Sequence, residues 1–292
     1  MLLKTEWHDF MPFYKIIYMR NLFNFFFIFM ISNHIYSQKY KVIYELTYRT
    51  DSTQNVASKK NMLLEVNQDV SKFYSYDFYE KDSIYRENIK LGKEAYKPMF
   101  DSNFFIVNDK KKSTITKFYN FPPNSNIYKL TETKSKFNWK ILKETKRIGN
   151  YQCQKATLKY KGRNWIAWFT NDISLNFGPY LFDGLPGAIL YLEDSLQNYL
   201  FEFKSLKKDY TNNYIGEDFA AIKVSKKEYI KISLDYYNDP YKEMRNDGGM
   251  IENSIGELDK PNINQMTKEK QEFIKRNNNP IEISEVIKYP VK

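Results

Sequence analysis

From residue 39 to residue 49, apolar and polar side chains alternate along the chain with a period of two. One face carries Tyr40, Val42, Tyr44, Leu46 and Tyr48, and the other is mostly charged or polar. This alternation is typical of a β-strand with one buried face. Comparable runs follow, separated by turn residues, at 62–66, 73–78, 104–107, 114–119, 126–132, 154–161, 163–170, 188–192 and 199–206. Short strands at hairpin spacing predict a mainly β fold, built as one large curved antiparallel sheet or an incomplete barrel.

The pattern changes to a helical one after about residue 210. Ser225 is followed three residues later by Glu228, which is a capping box, and the apolar residues beyond it keep helical spacing. A second short helix is predicted to open after Pro240 and to stop at Gly248. A charged surface helix is predicted over 267–275, and the chain after it is expected to be irregular. Peripheral helices are therefore expected in the C-terminal region.

The N-terminal residues fit a secretory signal peptide. Arg20 precedes an apolar stretch over 22–31, and the small residue Ser37 precedes Gln38. A charged start, a short apolar core and a small cleavage residue define such signals. The core is too short to span a bilayer on its own. An uncleaved anchor or a buried strand is the alternative, and Met19 is a candidate for the true start.

The 292 residues suffice for one large domain or two small ones. The predicted layout is a signal peptide over 1–37, an antiparallel β domain over 38–210, and a helical, partly irregular C-terminal region over 211–292. The signal predicts export to the periplasm, to the outer membrane or to the outside of the cell.

Both histidines, His8 and His34, lie in the predicted leader. A mature chain without histidine has no Ser–His or Cys–His nucleophile pair and none of the usual zinc sites. Cys153 is the single cysteine, so an internal disulfide is excluded. We interpret Cys153 as a small packed residue, with a reactive or intermolecular thiol as the alternative. No catalytic residue, metal site or cofactor is predicted.

The chain is basic, with a formal net charge of +10. The simpler interpretation is that lysines are scattered over solvated faces. The alternative is a basic face that meets membrane phosphates or an acidic ligand. The longest run, Lys110 to Lys112, is too short for a nucleic-acid tract, so no nucleic-acid partner is predicted.

A segment rich in glycine and proline, residues 178–190, stands out from the strand pattern. Pro186-Gly187 predicts the centre of a type II turn, with Gly187 supplying a positive φ. The residues assigned a structural role in this motif are Gly178, Pro179, Gly184, Pro186 and Gly187.

The same segment resembles the signature of the GLPGLI family of secreted bacterial proteins, whose function is uncharacterised. The upstream segments 151–156 and 165–173 also resemble the family, so the likeness covers about residues 150–195. Ala188 departs from it, because the family has leucine there. The resemblance implies an exported protein and no particular activity.

The predicted strand over 163–170 is apolar on both faces, with Trp165 on one face and Trp168 on the other. Such a strand is either covered on both sides or lines an apolar hollow. The candidate binding residues are Trp165, Trp168, Tyr180, Phe182 and Leu185, where Leu185 is presented at a stiff turn.

Four carboxylates surround the motif: Asp172, Asp183, Glu193 and Asp194. Paired carboxylates can hydrolyse glycosides, but turn caps and lysine pairs use the same residues. We therefore predict an exported cell-envelope protein that binds an apolar, lipid-like ligand or an outer-membrane protein. The alternatives are a secreted carboxylate-dependent hydrolase and a purely structural envelope protein. The oligomeric state is left open.

We expect the leader to be removed between Ser37 and Gln38, because the small residue follows a short apolar core. N-terminal sequencing of the protein from fractionated cells should begin at Gln38. Recovery of residues 22–31 in an integral membrane fraction would contradict this prediction.

Overall fold

The computed structural model describes residues 39–101, 104–209, 220–249, 251–252 and 258–290. The predicted signal peptide lies outside the described residues. Among the described residues, no helix is both long and apolar enough to cross a membrane.

The fold is mainly β. Twelve strands form one sheet: β1 (Lys39–Tyr48), β2 (Ser58–Val66), β3 (Val70–Ser75), β4 (Ile106–Asp109), β5 (Thr114–Phe121), β6 (Asn124–Thr133), β7 (Lys140–Ile148), β8 (Tyr151–Tyr160), β9 (Arg163–Thr170), β10 (Ala188–Asp194), β11 (Tyr199–Asp209) and β12 (Ala221–Lys223). A separate pair is formed by β13 (Ile251–Glu252) and β14 (Leu258–Asp259). The helices are α1 (Tyr76–Lys90), α2 (Lys226–Asn238), α3 (Lys242–Asp247) and α4 (Ile263–Arg276), followed by a 3₁₀ turn at Ile283–Glu285.

The strand order is β12–β6–β5–β4–β3–β2–β1–β11–β10–β9–β8–β7. Every neighbouring pair is antiparallel except β12–β6, which is parallel and makes the sheet mixed. The sheet is not closed into a barrel. The prediction of a large, mainly antiparallel sheet with C-terminal helices is confirmed.

The connection between β6 and β7 requires the sheet to curve. It contains only residues 134–139, yet β6 lies near one edge of the sheet and β7 forms the other. Seven chain steps span at most about 25 Å. Ten strand spacings in a flat sheet would separate β6 from β7 by about 48 Å. The two edges must therefore bend toward each other.

The main core lies on the concave face of this curved sheet. Val42 and Tyr44 of β1 meet Ile115 of β5 and Leu158 of β8 in one buried cluster. Strands so far apart in the order can share a cluster only on the inner side of the curve. The hydroxyl of Tyr44 donates to the carbonyl of Ile189 at 2.6 Å, so this deeply buried polar group is satisfied.

The loop between β9 and β10, residues 171–187, fills the concave face. It contributes buried apolar side chains to the main core: Ile173, Phe177, Tyr180, Leu181, Phe182 and Leu185. A turn within it is closed by the amide of Phe182, which donates to the carbonyl of Pro179 at 3.1 Å. The loop over 171–187, which contains the glycine- and proline-rich motif, therefore fills the concave side of the sheet, and we call it the plug loop.

The predicted role of Gly187 is wrong in its mechanism. Gly187 does not have a positive φ; Tyr180 and Gly184 do, at 61° and 87°. A β-carbon at Gly187 would lie 2.0 Å from the carbonyl oxygen of Thr170. Glycine is needed there because the motif passes directly against the backbone at the end of β9.

A second apolar cluster lies on the convex face, under helix α1. It is formed by Leu63, Tyr74, Phe78, Phe100, Phe105 and Phe118. The expected strand 73–78 is wrong at its end, because Ser75 caps α1 by accepting from the amide of Phe78 at 3.3 Å. Helix α1 has no continuous apolar stripe, and Ile84 and Ile89 are exposed, which explains why periodicity did not predict it.

The C-terminal helices follow the sequence pattern more closely. Helix α2 has the predicted capping box between Ser225 and Glu228. Gly248 ends α3 with a φ of 63°, and α4 extends the predicted helix 267–275 at both ends.

We predict that Gly187→Ala lowers the free energy of unfolding by about 3 kcal/mol or more, because backbone atoms must move to admit the methyl group. Gly149→Ala is the control. Gly149 has a φ of 56° but nothing within 4 Å of its β-carbon position, so only about 1–2 kcal/mol of left-handed strain is expected. Urea unfolding of both variants measures the difference. Equal losses of stability in the two variants would mean that the close approach of residue 187 to Thr170 is not the reason for glycine at this position.

Candidate functional site

The candidate site is a cavity of about 410 Å³ at the mouth of the concave face. The ends of β1, β4, β5 and β11 form its floor, and residues 273–289 of the C-terminal region form its roof. The cavity is thus a gap that the plug loop and the C-terminal segment leave between them.

Aromatic rings supply most of the apolar lining: Tyr48, Phe104, Tyr119, Tyr180, Tyr199, Tyr229, Phe273 and Tyr289. Tyr119 of β5 stacks on Tyr229 of α2 with ring centroids 4.1 Å apart. Burial raises the pKa of Tyr229 to about 12, so its hydroxyl stays protonated at neutral pH. The rings offer flat apolar faces and neutral hydroxyl groups to a ligand.

A buried ion pair forms the polar centre of the lining. Lys117 Nζ lies 2.6 Å from Glu282 Oε2, and the hydroxyl of Tyr180 donates to Glu282 Oε1 at 2.9 Å. Burial, with the nearby Glu282 carboxylate, raises the pKa of Tyr180 well above its ordinary value. Both carboxylate oxygens of Glu282 are therefore occupied by partners from the sheet and the plug loop.

Arg163 fixes the roof of the cavity to the sheet. Its guanidinium pairs with Asp194 at 3.0 Å and donates to Asn279 Oδ1 at 2.6 Å. It also donates to the carbonyls of Pro280 at 2.8 Å and Ile281 at 3.0 Å. A planar fork with several donors suits such simultaneous binding of one carboxylate and a backbone segment.

Further contacts hold the same segment in place. Tyr199 donates from its hydroxyl to the carbonyl of Asn279 at 2.6 Å, and Asn279 Nδ2 donates to the carbonyl of Arg49 at 2.7 Å. The amide of Ser284 donates to the carbonyl of Lys161 at 3.0 Å. The final segment was expected to be irregular. It has little regular structure but is firmly bound.

Four of the five candidate binding residues lie on the concave side. Tyr180 lines the cavity. Trp165, Phe182 and Leu185 lie in the packed core, each about 1% exposed, and the rings of Trp165 and Phe182 are 4.8 Å apart. Trp165 of β9 therefore packs against Phe182 of the plug loop in the core. Of the five candidates, Tyr180 alone lines the cavity.

Trp168 lies on the opposite, convex face of β9. It is half-buried, and Lys146 Nζ lies 4.3 Å from the centre of its ring. Trp168 is thus separated from the cavity by the sheet itself.

The four carboxylates of the motif region do not converge on one cleft. Asp183 pairs with Lys134, and Asp194 pairs with Arg163. Asp172 accepts from the amide of Gln152 at 3.1 Å, and Glu193 accepts from the hydroxyl of Tyr191 at 2.9 Å. Each carboxylate has a local structural partner.

Cys153 is buried, and burial raises the pKa of its thiol to about 11. The thiolate needed for nucleophilic chemistry is therefore disfavoured at neutral pH. Within the described residues, no group of three or more His, Cys, Asp or Glu side chains is placed to hold a metal ion.

Sequence reasoning missed Arg163 and the roof segment. A signal for Arg163 was present, because it shares the period of Trp165, Ala167 and Phe169 and so carries a charge on the buried face of a strand. The roof had no comparable signal, since Asn277 to Asn279 have the composition of an ordinary loop.

No protein-family model and no curated protein sequence matches the chain. Among solved structures, PNGF-II in space groups C2 and P21 is similar to 67% of this chain, with a TM-score of 0.47 in both cases. The sequence identities are 18% and 19%, and the matched part is 32% and 33% of the PNGF-II chains. The chain thus spans about a third of the length of these structures.

We predict that Arg163→Ala lowers the free energy of unfolding by about 3–5 kcal/mol, because it leaves Asp194 buried without its cation. The amide of Ser284 should also lose protection from hydrogen exchange. Arg147→Ala, on the exposed strand β7, is the matched control and should change stability by less than about 0.5 kcal/mol. Denaturant unfolding and exchange mass spectrometry measure both effects. Unchanged protection of residues 279–284 in Arg163→Ala would contradict the role of Arg163 in holding this segment on the sheet.

Proposed function

We propose that this protein is an exported cell-envelope protein that binds a small amphipathic molecule in the cavity and does not transform it. The observation that carries the proposal is the cavity itself, at about 410 Å³ and lined by aromatic rings around a few fixed polar groups. Volumes of roughly 300–1,000 Å³ with such a lining are typical of small-molecule sites.

The lining favours a ligand with both an apolar body and polar groups. Tyr119, Tyr229 and Phe273 offer ring faces, and the Lys117–Glu282 ion pair places charged groups in the same lining. A purely apolar lipid chain would replace the water beside this ion pair with hydrocarbon, which costs free energy. The apolar ligand expected from the sequence is accordingly refined to an amphipathic one.

Export and family membership are part of the same proposal. The charged start, apolar core and small residue of 1–37 support a secretory signal, and the motif over 178–190 supports membership of the GLPGLI family. A location in the periplasm or at the outer membrane follows from the signal. An outer-membrane protein is the alternative occupant of the cavity mouth.

Binding is preferred to hydrolysis because each motif carboxylate already has a local partner. A retaining or inverting glycosidase needs two carboxyl groups facing one bond at a defined separation. Asp183 and Asp194 point to different structural partners, Lys134 and Arg163.

We predict that Val286→Trp abolishes binding of an amphipathic probe while leaving the fold intact, since Val286 lines the cavity and is not fully buried. The probe is anilinonaphthalene sulfonate, which has fused rings and one sulfonate. Fluorescence titration should show saturable binding to the natural protein and at least a tenfold weaker affinity in the variant.

Val56→Trp is the matched control, because Val56 is 72% exposed and does not line the cavity. It should bind the probe like the natural protein. Circular dichroism verifies folding of both variants. Equal probe binding by the two tryptophan variants would exclude the cavity as the site and favour a purely structural role.

A further inference from the structure

Almost all of the net charge of the chain lies in one segment. Residues 134–163 contain ten Lys and Arg residues and a single acidic residue, Glu144, which gives a net charge of +9. The formal net charge of the whole chain is +10. The excess of basic over acidic residues is therefore concentrated in the β6–β7 connection and in strands β7 and β8, although most of the 45 Lys and Arg residues lie elsewhere in the chain.

Most of these cations are not used by the fold. Lys134, Lys161 and Arg163 form ion pairs with Asp183, Glu285 and Asp194. Lys155 lies 3.5 Å from Glu144. The others have no carboxylate partner among the residues that the structure describes: Lys136, Lys140, Lys143, Lys146, Arg147 and Lys159.

The register places several of the lysines on the convex face. Residues opposite each other in antiparallel strands share a face, and Lys155 is opposite Trp168. Residues two apart on a strand also share a face, so Thr157 and Lys159 point the same way as Lys155. Lys140 is opposite Thr157 and therefore lies on this face too.

Two aromatic rings lie among these lysines. Tyr191 of β10 is opposite Trp168 of β9. Lys146 Nζ lies 4.3 Å from the ring centre of Trp168 and 4.5 Å from that of Tyr191. Glu193, which accepts from Tyr191, and Glu202, which is opposite Tyr191, border the same face. The basic–aromatic face is defined here as six residues: Lys140, Lys146, Lys155, Lys159, Trp168 and Tyr191.

We propose that the basic–aromatic face docks the protein on the surface of an anionic lipid bilayer. Lysine side chains near such a surface are each attracted by its phosphates. Trp and Tyr favour the depth of the head groups, where an apolar ring and a polar atom are both satisfied.

The shape of the sheet favours a bilayer over an acidic polypeptide. The face lies on the outer side of the curve, and a convex surface can touch a flat membrane without enclosing it. An extended acidic peptide would need a groove or free strand edge aligned with the lysines. Strand β7, which carries Lys140 and Lys146, is an edge of the sheet, but Lys159 and Trp168 lie on strands β8 and β9, which are paired on both sides, so a peptide added at that edge would leave them uncovered.

Co-sedimentation with vesicles tests the proposal on the purified full chain. Vesicles of phosphatidylglycerol and phosphatidylcholine are compared with vesicles of phosphatidylcholine alone. The face variant is Lys140→Glu/Lys146→Glu/Lys159→Glu. The control is Lys227→Glu/Lys231→Glu/Lys268→Glu, which changes the net charge equally at exposed helical lysines. All variants keep the same N-terminal residues, so differences report on the substituted surfaces.

The face variant should bind the anionic vesicles on the order of 100-fold more weakly than the natural protein, and the control by less than about threefold. Binding should also fall as salt is raised, since surface charges are screened. If the triple variant does not fold, Lys140→Glu/Lys159→Glu is compared with Lys227→Glu/Lys231→Glu on the same scale.

Equal losses in the face variant and its control would overturn the proposal, because general charge would then explain the binding. Equal binding of the natural protein to both kinds of vesicle would overturn it as well. Tight binding of poly-glutamate without any binding to anionic vesicles would replace the bilayer with an acidic protein partner. None of these outcomes bears on ligand binding in the cavity, because the probe titration of Val286→Trp measures binding on the concave side of the sheet.

Discussion

The short connection between β6 and β7 is the constraint from which the rest of the structure follows. Residues 134–139 can join the two edges only if the sheet curves strongly. A curved sheet of this size has an apolar inner face that its own side chains cannot fill. The loop over 171–187 supplies the missing volume with buried aromatic and aliphatic residues. The connection and the loop also bind each other, because Trp139 donates to the carbonyl of Asp183 at 2.8 Å.

The cavity is what remains after this filling, and the C-terminal segment determines its size. Arg163 reaches from the sheet to Asn279, Pro280 and Ile281, so roof and floor are held by one buried guanidinium. A buried ion pair is rarely a net source of stability, but it selects one geometry. Here the selected geometry leaves a gap lined by aromatic rings.

The sequence predicted the strands well because the concave face needs an apolar residue at every second position. It missed β7, whose residues are mostly exposed, since an edge strand with no buried face has no such alternation. The glycine motif was recognised, but its mechanism was not, because the contact of Gly187 with Thr170 joins two elements that only the fold brings together. For the same reason, the sequence could not show that the motif fills the hollow that it was expected to border.

Strand β9 explains why one segment suggested two interpretations. Its residues are apolar on both faces, which is typical either of a covered strand or of a cavity wall. In the structure, the apolar residues on the two faces of β9 have different explanations. Trp165 faces inward and packs against the plug, and Trp168 faces outward between the lysines. Trp168 is half-buried against the main core and lies within cation–π distance of Lys146, so packing and a charge partner together account for an aromatic residue on the outward face.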